Sequence, residues 1–238
     1  MQIEGRRVEW HATIDSTMIA ASRLAAEGAP SGTVVGADEQ TAGRGRQGHA
    51  WHSESKAGLY VSVILRYAFT PETVPLVTMA IGLATVDAIL KSANIVADLR
   101  WPNDVLIGDR KCAGILTQLE GAAIISGIGI NVNHTALPPD LAPIATSLRL
   151  ASGRTQSREA LLEALLPAIE SYCELLATQG KHPILDAFTQ ASSYVQGRRV
   201  QVDELTGTTA GLNESGFLLL RDDRGKTHTI VAGGVRPV

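Results

Sequence analysis

Two short stretches concentrate residue types suited to binding anions. The first is Gly43-Arg44-Gly45-Arg46-Gln47-Gly48, followed by Trp51. A guanidinium is planar, permanently charged and matched in shape to carboxylate and phosphate. Glycines at these positions let the backbone take positive φ or approach a ligand closely. Trp51 adds a flat apolar surface beside the charges. The set fits an anion joined to a ring, such as a nucleotide. The second stretch is Trp101-Pro102-Asn103-Asp104, with Lys111 further on. Pro102 cannot donate to a sheet, so it marks an edge or a turn. A hairpin turning at Gly108-Asp109-Arg110 would bring Lys111 to the start of the returning strand. Taken alone, Lys111 reads as a surface lysine. Ser16 and Thr17 precede a helical pattern. They can cap its N-terminus, or that N-terminus can hold an anionic or carbonyl group of a ligand.

The elements that must position these groups follow from periodicity. Val8–Ile14 alternates and reads as a strand, and residues 18–28 as a helix. Residues 33–38 and 58–67 read as strands. The segment between them has no apolar period, so it is a long loop of the kind that is functional or disordered in a compact domain. Gly43-x-Gly45-x-x-Gly48 also matches the dinucleotide fingerprint, which needs a strand just before it and a helix opening within it. No apolar stripe at i, i+3, i+4 follows Gly48, and no ribose-binding acid stands in the expected place, so a Rossmann site is not expected. A helix over 71–94, strands over 95–101, 105–107, 111–120 and 122–133, a proline-containing loop over 138–146, and helices over 157–178 and 184–191 complete the larger part. Gly127 and Gly129 leave room for something to approach their strand. From Val195 short strand-like runs over 199–202, 208–212, 217–221 and 227–232 are separated by turn residues. They predict a small all-β appendage that must dock on the rest, since so short a segment buries little alone.

Bulk properties narrow the classes. At 238 residues with 45% apolar content, the chain can build a sizeable core, as one large domain or a large and a small one. A net charge of −3 gives no global basic field for nucleic acid. Two cysteines, Cys112 and Cys173, are too few for a disulfide framework and fit a reducing compartment. Cys112 reads as a packed thiol. The N-terminus carries no apolar signal core, and the apolar stretches look broken short of a membrane span. The expectation is a cytoplasmic protein without membrane contact. His49-x-x-His52 could suggest a metal pair, but no further Cys or His cluster supports it in the sequence.

Taken together, Gly43–Gly48 with Trp51, Arg100-Trp101-Pro102-Asn103-Asp104 with Lys111 and Ala113-Gly114-Ile115-Leu116, and Gly127-Ile128-Gly129-Ile130-Asn131-Val132-Asn133 resemble the biotin–protein ligase family in order and spacing. The resemblance covers nearly the whole chain. It implies an α+β fold, with a mixed β-sheet flanked by helices of the type shared with class II tRNA synthetases and lipoate ligases. This catalytic domain would span 1–193, followed by a small SH3-like β-barrel domain over 194–238. It also implies a two-step reaction. Biotin and ATP are substrates that give biotinyl-5′-AMP, with Mg2+. A lysine of a biotin carboxyl-carrier domain then takes the biotinyl group. No enzyme nucleophile is needed, which suits a chain without an evident Ser/His/Asp or Cys/His constellation.

The resemblance assigns roles to residues. Arg44, Arg46, Lys111 and Asp104 would be catalytic, with Asp104 also a magnesium ligand. Ser16, Thr17, Gln40, Gly43, Arg44, Gly45, Arg46, Lys111, Gly114, Gly127 and Gly129 would bind biotin. Arg46, Trp51, Asn103, Lys111 and Asn131 would bind the nucleotide, Trp51 by stacking on adenine. Three departures stand out. Met18 occupies a position where the family often has a polar residue, so a contact from that side chain is not expected. Arg100 replaces the usual lysine, and Gln47 replaces another common basic residue. Because the pattern begins near the N-terminus, DNA binding through a winged helix-turn-helix is not expected. Monomer and homodimer both remain open. The alternatives are a lipoate–protein ligase-like enzyme, and a biotin- or nucleotide-binding module without transfer.

Overall fold

A computed structural model of the chain describes residues 1–3 and 5–238. Its centre is a seven-stranded mixed sheet. In chain order the strands are β1 (Val8–Ile14), β2 (Val34–Gln40), β3 (Gly58–Leu65), β4 (Asp98–Arg100), β5 (Asp104–Ile107), β6 (Arg110–Glu120) and β7 (Ala123–Asn131). Their order across the sheet is β1-β2-β3-β7-β6-β5-β4. β1 and β2 are parallel, joined by the helix α1 (Thr17–Ala26), and every other neighbouring pair is antiparallel.

Strand β3 shows why the sheet lies at the centre. All eight of its residues are buried. Leu59, Val61, Val63 and Leu65 join the large core, whereas Ile64 joins a smaller cluster with Met18, Ala21 and Ala25 of α1. Successive side chains point to opposite faces, so α1 covers one face and the larger helices cover the other. Those helices are α2 (Val77–Ala93) and α4 (Arg158–Gln179), which pack on each other, followed by α5 (Lys181–Gln190). Asn94, in the left-handed region at φ 54°, ends α2. The segment Val74–Ala93 is long and apolar enough by composition to cross a membrane, which the sequence reading did not anticipate. Its apolar surface is instead spent on α4 and the sheet, with Ile81, Ala84 and Ile89 fully buried.

Two expectations need correction. The strand placed over 95–101 is only Asp98–Arg100, because residues 95–97 lead away from the left-handed Asn94 without pairing and residues 101–103 form a turn. A short helix, α3 (Leu148–Ser152), follows the 138–146 loop unanticipated; Ser147 caps it by accepting from Leu150 N at 3.0 Å.

The C-terminal strands form a second sheet. These are β8 (Gln196–Val202), β9 (Leu205–Leu212), β10 (Leu218–Arg221), β11 (Thr227–Ile230) and β12 (Val235–Pro237), antiparallel throughout in the order β11-β10-β9-β8-β12. The last strand was not foreseen, since three residues with a proline carry almost no period. Val200, Leu218, Leu220 and Val235 join the same core cluster as the large sheet. Trp101 Nε1 donates to Gly216 O at 2.9 Å across the junction. The appendage is therefore docked, as its small size requires.

Candidate active site

The 41–57 loop folds back on itself. Trp51 N donates to Gly43 O at 2.9 Å, Gly45 N to His49 O at 2.7 Å, and a single 3-10 turn over Arg46–Gly48 makes the tip. Gln47 at φ 55° and Gly48 at φ 79° both take the left-handed region there. The stems are fastened to the body: Gln40 N donates to Ser53 Oγ, and Lys56 N to Asp38 O. Asp38 in turn accepts from Arg158 and from Trp10 Nε1.

Beneath this loop lies a narrow slot. Ser16, Thr17, Met18, Gln40, Arg44, Gly45, Arg46, Trp51, Lys111, Gly114, Gly127 and Gly129 line it, with Val61, Ile115, Leu116 and Ile128 as apolar walls that the sequence reading did not single out. The glycines make room as anticipated, but the first groups to use it belong to the protein. A Cβ at Gly129 would fall 2.5 Å from Trp51 Cε2, one at Gly114 2.9 Å from Trp51 Cζ3, and one at Gly127 2.8 Å from Met18 Sδ. Met18 thus forms an apolar wall of the slot. The Trp51 indole, expected to stack on adenine, has part of its surface on the glycine floor, and it lines a second cleft as well.

At the closed end, Gln40 Oε1 accepts from Thr17 N at 2.9 Å and from Thr17 Oγ1 at 3.1 Å, and Thr17 Oγ1 also meets Ser62 Oγ at 2.8 Å. Thr17 and Gln40 are therefore partners of each other. Ser16 begins α1 without capping it: its side chain makes no cap bond, and its own N–H donates to Asp15 Oδ1. Ser16 is 1% exposed, and its Oγ has no hydrogen-bond partner among the described residues. An orphaned buried hydroxyl on a cavity wall points to a polar ligand group, since leaving it unmatched costs about 1–3 kcal/mol.

The open end is cationic. Lys111 Nζ lies 2.5 Å from Asp104 Oδ1, and Arg100 Nη2 donates to Asp104 Oδ2 at 2.8 Å. Arg46 Nη1 donates to Asn103 Oδ1 at 3.0 Å, while Asn103 Nδ2 donates to Ile115 O on β6. Asn103 thus ties the loop arginine to the sheet. Half burial holds the Arg46 guanidinium below its usual pKa, opposed by nearby Asp104; it remains charged at neutral pH. Lys111 is placed by more than a hairpin. The β5–β6 register shifts between Val105 and Leu106, a bulge opposite Cys112, and Lys111 pairs in parallel with Ala145 through Lys111 N to Ile144 O and Thr146 N to Lys111 O, each at 2.9 Å. Arg44, by contrast, is exposed.

Both oxygens of Asp104, expected as a magnesium ligand, are engaged by the Arg100 and Lys111 cations in the arrangement described. Among the described residues, His52, Glu54 and His134 form a group able to hold a metal.

The second, larger cleft runs from the loop to the C-terminal sheet. Arg46, Trp51, Arg100, Asn103, Asp104, Lys111 and Asn131 line one side, and Gln201, Asp203, Gly233 and Arg236 the other. Asn131 is buried and donates to Thr146 O. The C-terminal contributors went unnoticed in the sequence, where nothing distinguishes them from surface turn residues. Gly45, Arg46, Trp51, Asn103 and Lys111 line both spaces. A narrow slot with apolar walls that opens past a cluster of cations into a wider cleft defines a class of proteins suited to holding anionic ligands.

The comparisons with known proteins narrow that class. Residues 5–134 match the model of the biotin/lipoate A/B protein ligase family, more than half of the chain, and the chain belongs to that family. It is 35% identical over 235 residues to the bifunctional ligase/repressor BirA of Bacillus subtilis, covering 94% of this chain and 72% of that one. It is 31% identical to the biotin–[acetyl-CoA-carboxylase] ligase of Paracoccus denitrificans, covering 90% of this chain and 94% of that protein. The solved biotin protein ligase of Aquifex aeolicus in complex with biotin and ATP superposes with a TM-score of 0.86 at 29% identity, covering 98% of this chain and 99% of that one.

Proposed function

We infer that the chain is an ATP-dependent biotin–protein ligase. The biotin carboxylate attacks the α-phosphorus of ATP, giving biotinyl-5′-AMP and releasing pyrophosphate. The ε-amine of a carrier lysine then attacks the mixed anhydride and releases AMP. The observation that carries this reading is the shared boundary of the two clefts, where Arg46 and Lys111 face both spaces. The barrier to the first step is electrostatic, since a carboxylate must approach a polyphosphate. Fixed cations at the meeting point offset that repulsion without reorganising.

The roles of individual residues follow as proposals. Biotin's fused rings fill the slot over Gly114, Gly127 and Gly129, displacing Trp51 as needed, with Ser16 Oγ and the Thr17–Gln40 pair serving its polar end. Lys111 spans the biotin carboxylate and the α-phosphate, and Asp104 with Arg100 fixes the lysine's position. Arg46, and Arg44 once the loop closes, bind carboxylate and phosphate; a hydrogen bond to such a charged group is worth about 1.5–3 kcal/mol. Asn103, Asn131 and Trp51 hold the adenosine. Loop closure keeps water from the anhydride. The acceptor is a biotin carboxyl-carrier domain of a biotin-dependent carboxylase, reaching the anhydride through the wider cleft. The division at 193/194 and the SH3-like character of the C-terminal part are supported by five antiparallel strands in one small sheet.

A mass-spectrometric assay tests the reading: a carrier domain incubated with ATP, Mg2+ and either biotin or lipoate, using wild type and Lys111→Ala. The expected result is a mass gain with biotin alone, lost in the variant. A gain with lipoate would move the chain to the other branch of its family. No gain with either would overturn the ligase reading for that carrier.

A further inference from the structure

Three side chains with metal-ligating atoms converge where the 41–57 loop returns to the sheet, and one of them, His52, also lines the wider cleft. One ligand atom from each of His52, Glu54 and His134 lies within 4.8 Å of the others. His52 is half-buried, Glu54 exposed and His134 fully buried. The hydrogen bonds around His134 define its tautomer. Tyr60 Oη donates its single proton to Glu54 O at 3.1 Å and accepts from Glu54 N at 3.0 Å. Its remaining contact, 3.4 Å to His134 Nε2, is then assigned as running from the imidazole N–H to the hydroxyl oxygen. Nδ1 is left with a lone pair, and it is buried with no partner among the described residues. A buried acceptor without a donor is costly. A ring with one nitrogen held by a hydrogen bond and the other carrying a bare lone pair is also the form in which histidine binds metals.

We propose that His52, Glu54 and His134 bind one divalent cation of the zinc type, with His134 Nδ1 as the buried ligand, and that this ion fastens the returning limb of the loop to the end of β7. Two imidazoles and one carboxylate are a donor set zinc takes when its fourth position stays open to water. Imidazoles match zinc and its neighbours, whereas magnesium prefers oxygen alone. Zinc–ligand distances of about 2.0–2.2 Å bring the donors roughly 3.5 Å apart. His52 and Glu54 therefore have to move inward, a movement open to side chains with solvent on one side. The Tyr60 hydroxyl supplies the outer hydrogen bond that orients the buried ring.

The test is a calorimetric titration of the full, untagged chain, stripped with chelator, with Zn2+ alone, followed by the visible spectrum with Co2+ alone. The expected result is one saturable equivalent of Zn2+, intense tetrahedral Co2+ bands, and a higher thermal midpoint with zinc. His52→Ala and Glu54→Gln each weaken binding by on the order of tenfold or more, and His49→Ala leaves it unchanged. Glu54 is exposed and His52 only half-buried, so neither change removes a core side chain, and an unchanged far-ultraviolet circular dichroism spectrum makes the loss of affinity interpretable. Absence of a saturable equivalent, or wild-type affinity in both variants, overturns the proposal, as does loss of binding in His49→Ala alone. The titration uses no substrate, so its outcome is independent of the ligase reading.

Discussion

The floor of the slot is two adjacent strands, β6 and β7, paired without interruption from Ala113↔Ile130 to Glu120↔Ala123. Its roof is the 41–57 loop, folded on itself by backbone bonds between Gly43 and Trp51 and tied to the sheet near its tip by a side-chain bond from Arg46 to Asn103. Both contribute cations, but under different constraints. Lys111 has its backbone bonded on two sides and its ammonium against Asp104. Arg44 is exposed, on a segment that contributes almost no buried side chains to the core. A charge that must be pre-organised belongs on the floor, and a charge that must arrive with the substrate belongs on the roof. The two regions therefore should fail differently when altered.

Lys111→Ala should have the largest effect, slowing pyrophosphate release in the adenylation step by roughly 10²–10³, the usual cost of removing one pre-organised stabilising group. Arg44→Ala should cost about tenfold in the same assay, the low end for a hydrogen bond to a charged group. An Arg44 effect as large as that of Lys111 would sink the distinction between floor and roof. Gly129→Ala comes next. Its Cβ would meet Trp51 at 2.5 Å, and overpacking of that kind costs about 1–3 kcal/mol. Biotin affinity measured by calorimetry should fall by tens of fold, and a Gly129→Ala, Trp51→Ala double variant should recover part of it if the clash is the cause. Thiol labelling examines the floor's rigidity. Burial pushes both Cys112 and Cys173 up to about 12, and each is 0% exposed. Iodoacetamide at pH 8 should leave both unmodified until denaturant is added, and fast labelling of Cys112 in the native protein would show that β6 opens.

The smallest effect is expected far from both regions. The Arg6–Glu170 pair holds the Glu170 carboxyl below its usual range, chiefly through the hydrogen bond from Arg6. A depressed carboxylate pKa stabilises the fold above the unfolded value of about 4.3, and that contribution is lost as pH falls through the folded value. Glu170 is 43% exposed, so solvent screening reduces the gain to a few tenths of a kcal/mol. Glu170→Gln should therefore lower the denaturation midpoint slightly at pH 7 and approach wild type as pH falls through the depressed folded-state value, with biotin affinity unchanged.

Much of this arrangement was legible in the sequence because it rests on local pattern. β1 was bounded correctly because its period of two is unbroken. The cationic stretches stood out because arginines, glycines and a Trp-Pro turn have no use in a core. What escaped the sequence depends on long-range contact. Nothing near Met18 shows that it lies against Gly127, more than a hundred residues away. Nothing near Gln201 or Arg236 places them across a cleft from Lys111. The α2 helix was read as core, but its length and apolarity alone would equally suit a membrane, and only its packing against α4 decides. His52 was weighed against His49, its neighbour in sequence, whereas the fold pairs it with Glu54 and His134.

The position of Trp51 also gives the chain an optical reporter. Of its three tryptophans, Trp10 donates its indole N–H to Asp38 and Trp101 donates to Gly216, so both indoles are pinned by a hydrogen bond while packed on or in the core. Trp51 Nε1 is buried without a partner among the described residues, against Gly129 on one side and with Lys111 Nζ 5.5 Å from the centre of its ring. A molecule entering the slot must shift this indole or change what surrounds it. Intrinsic emission should therefore move in wavelength or intensity as the slot fills, and Trp51→Phe should silence the signal, so occupancy can be followed in real time without a label.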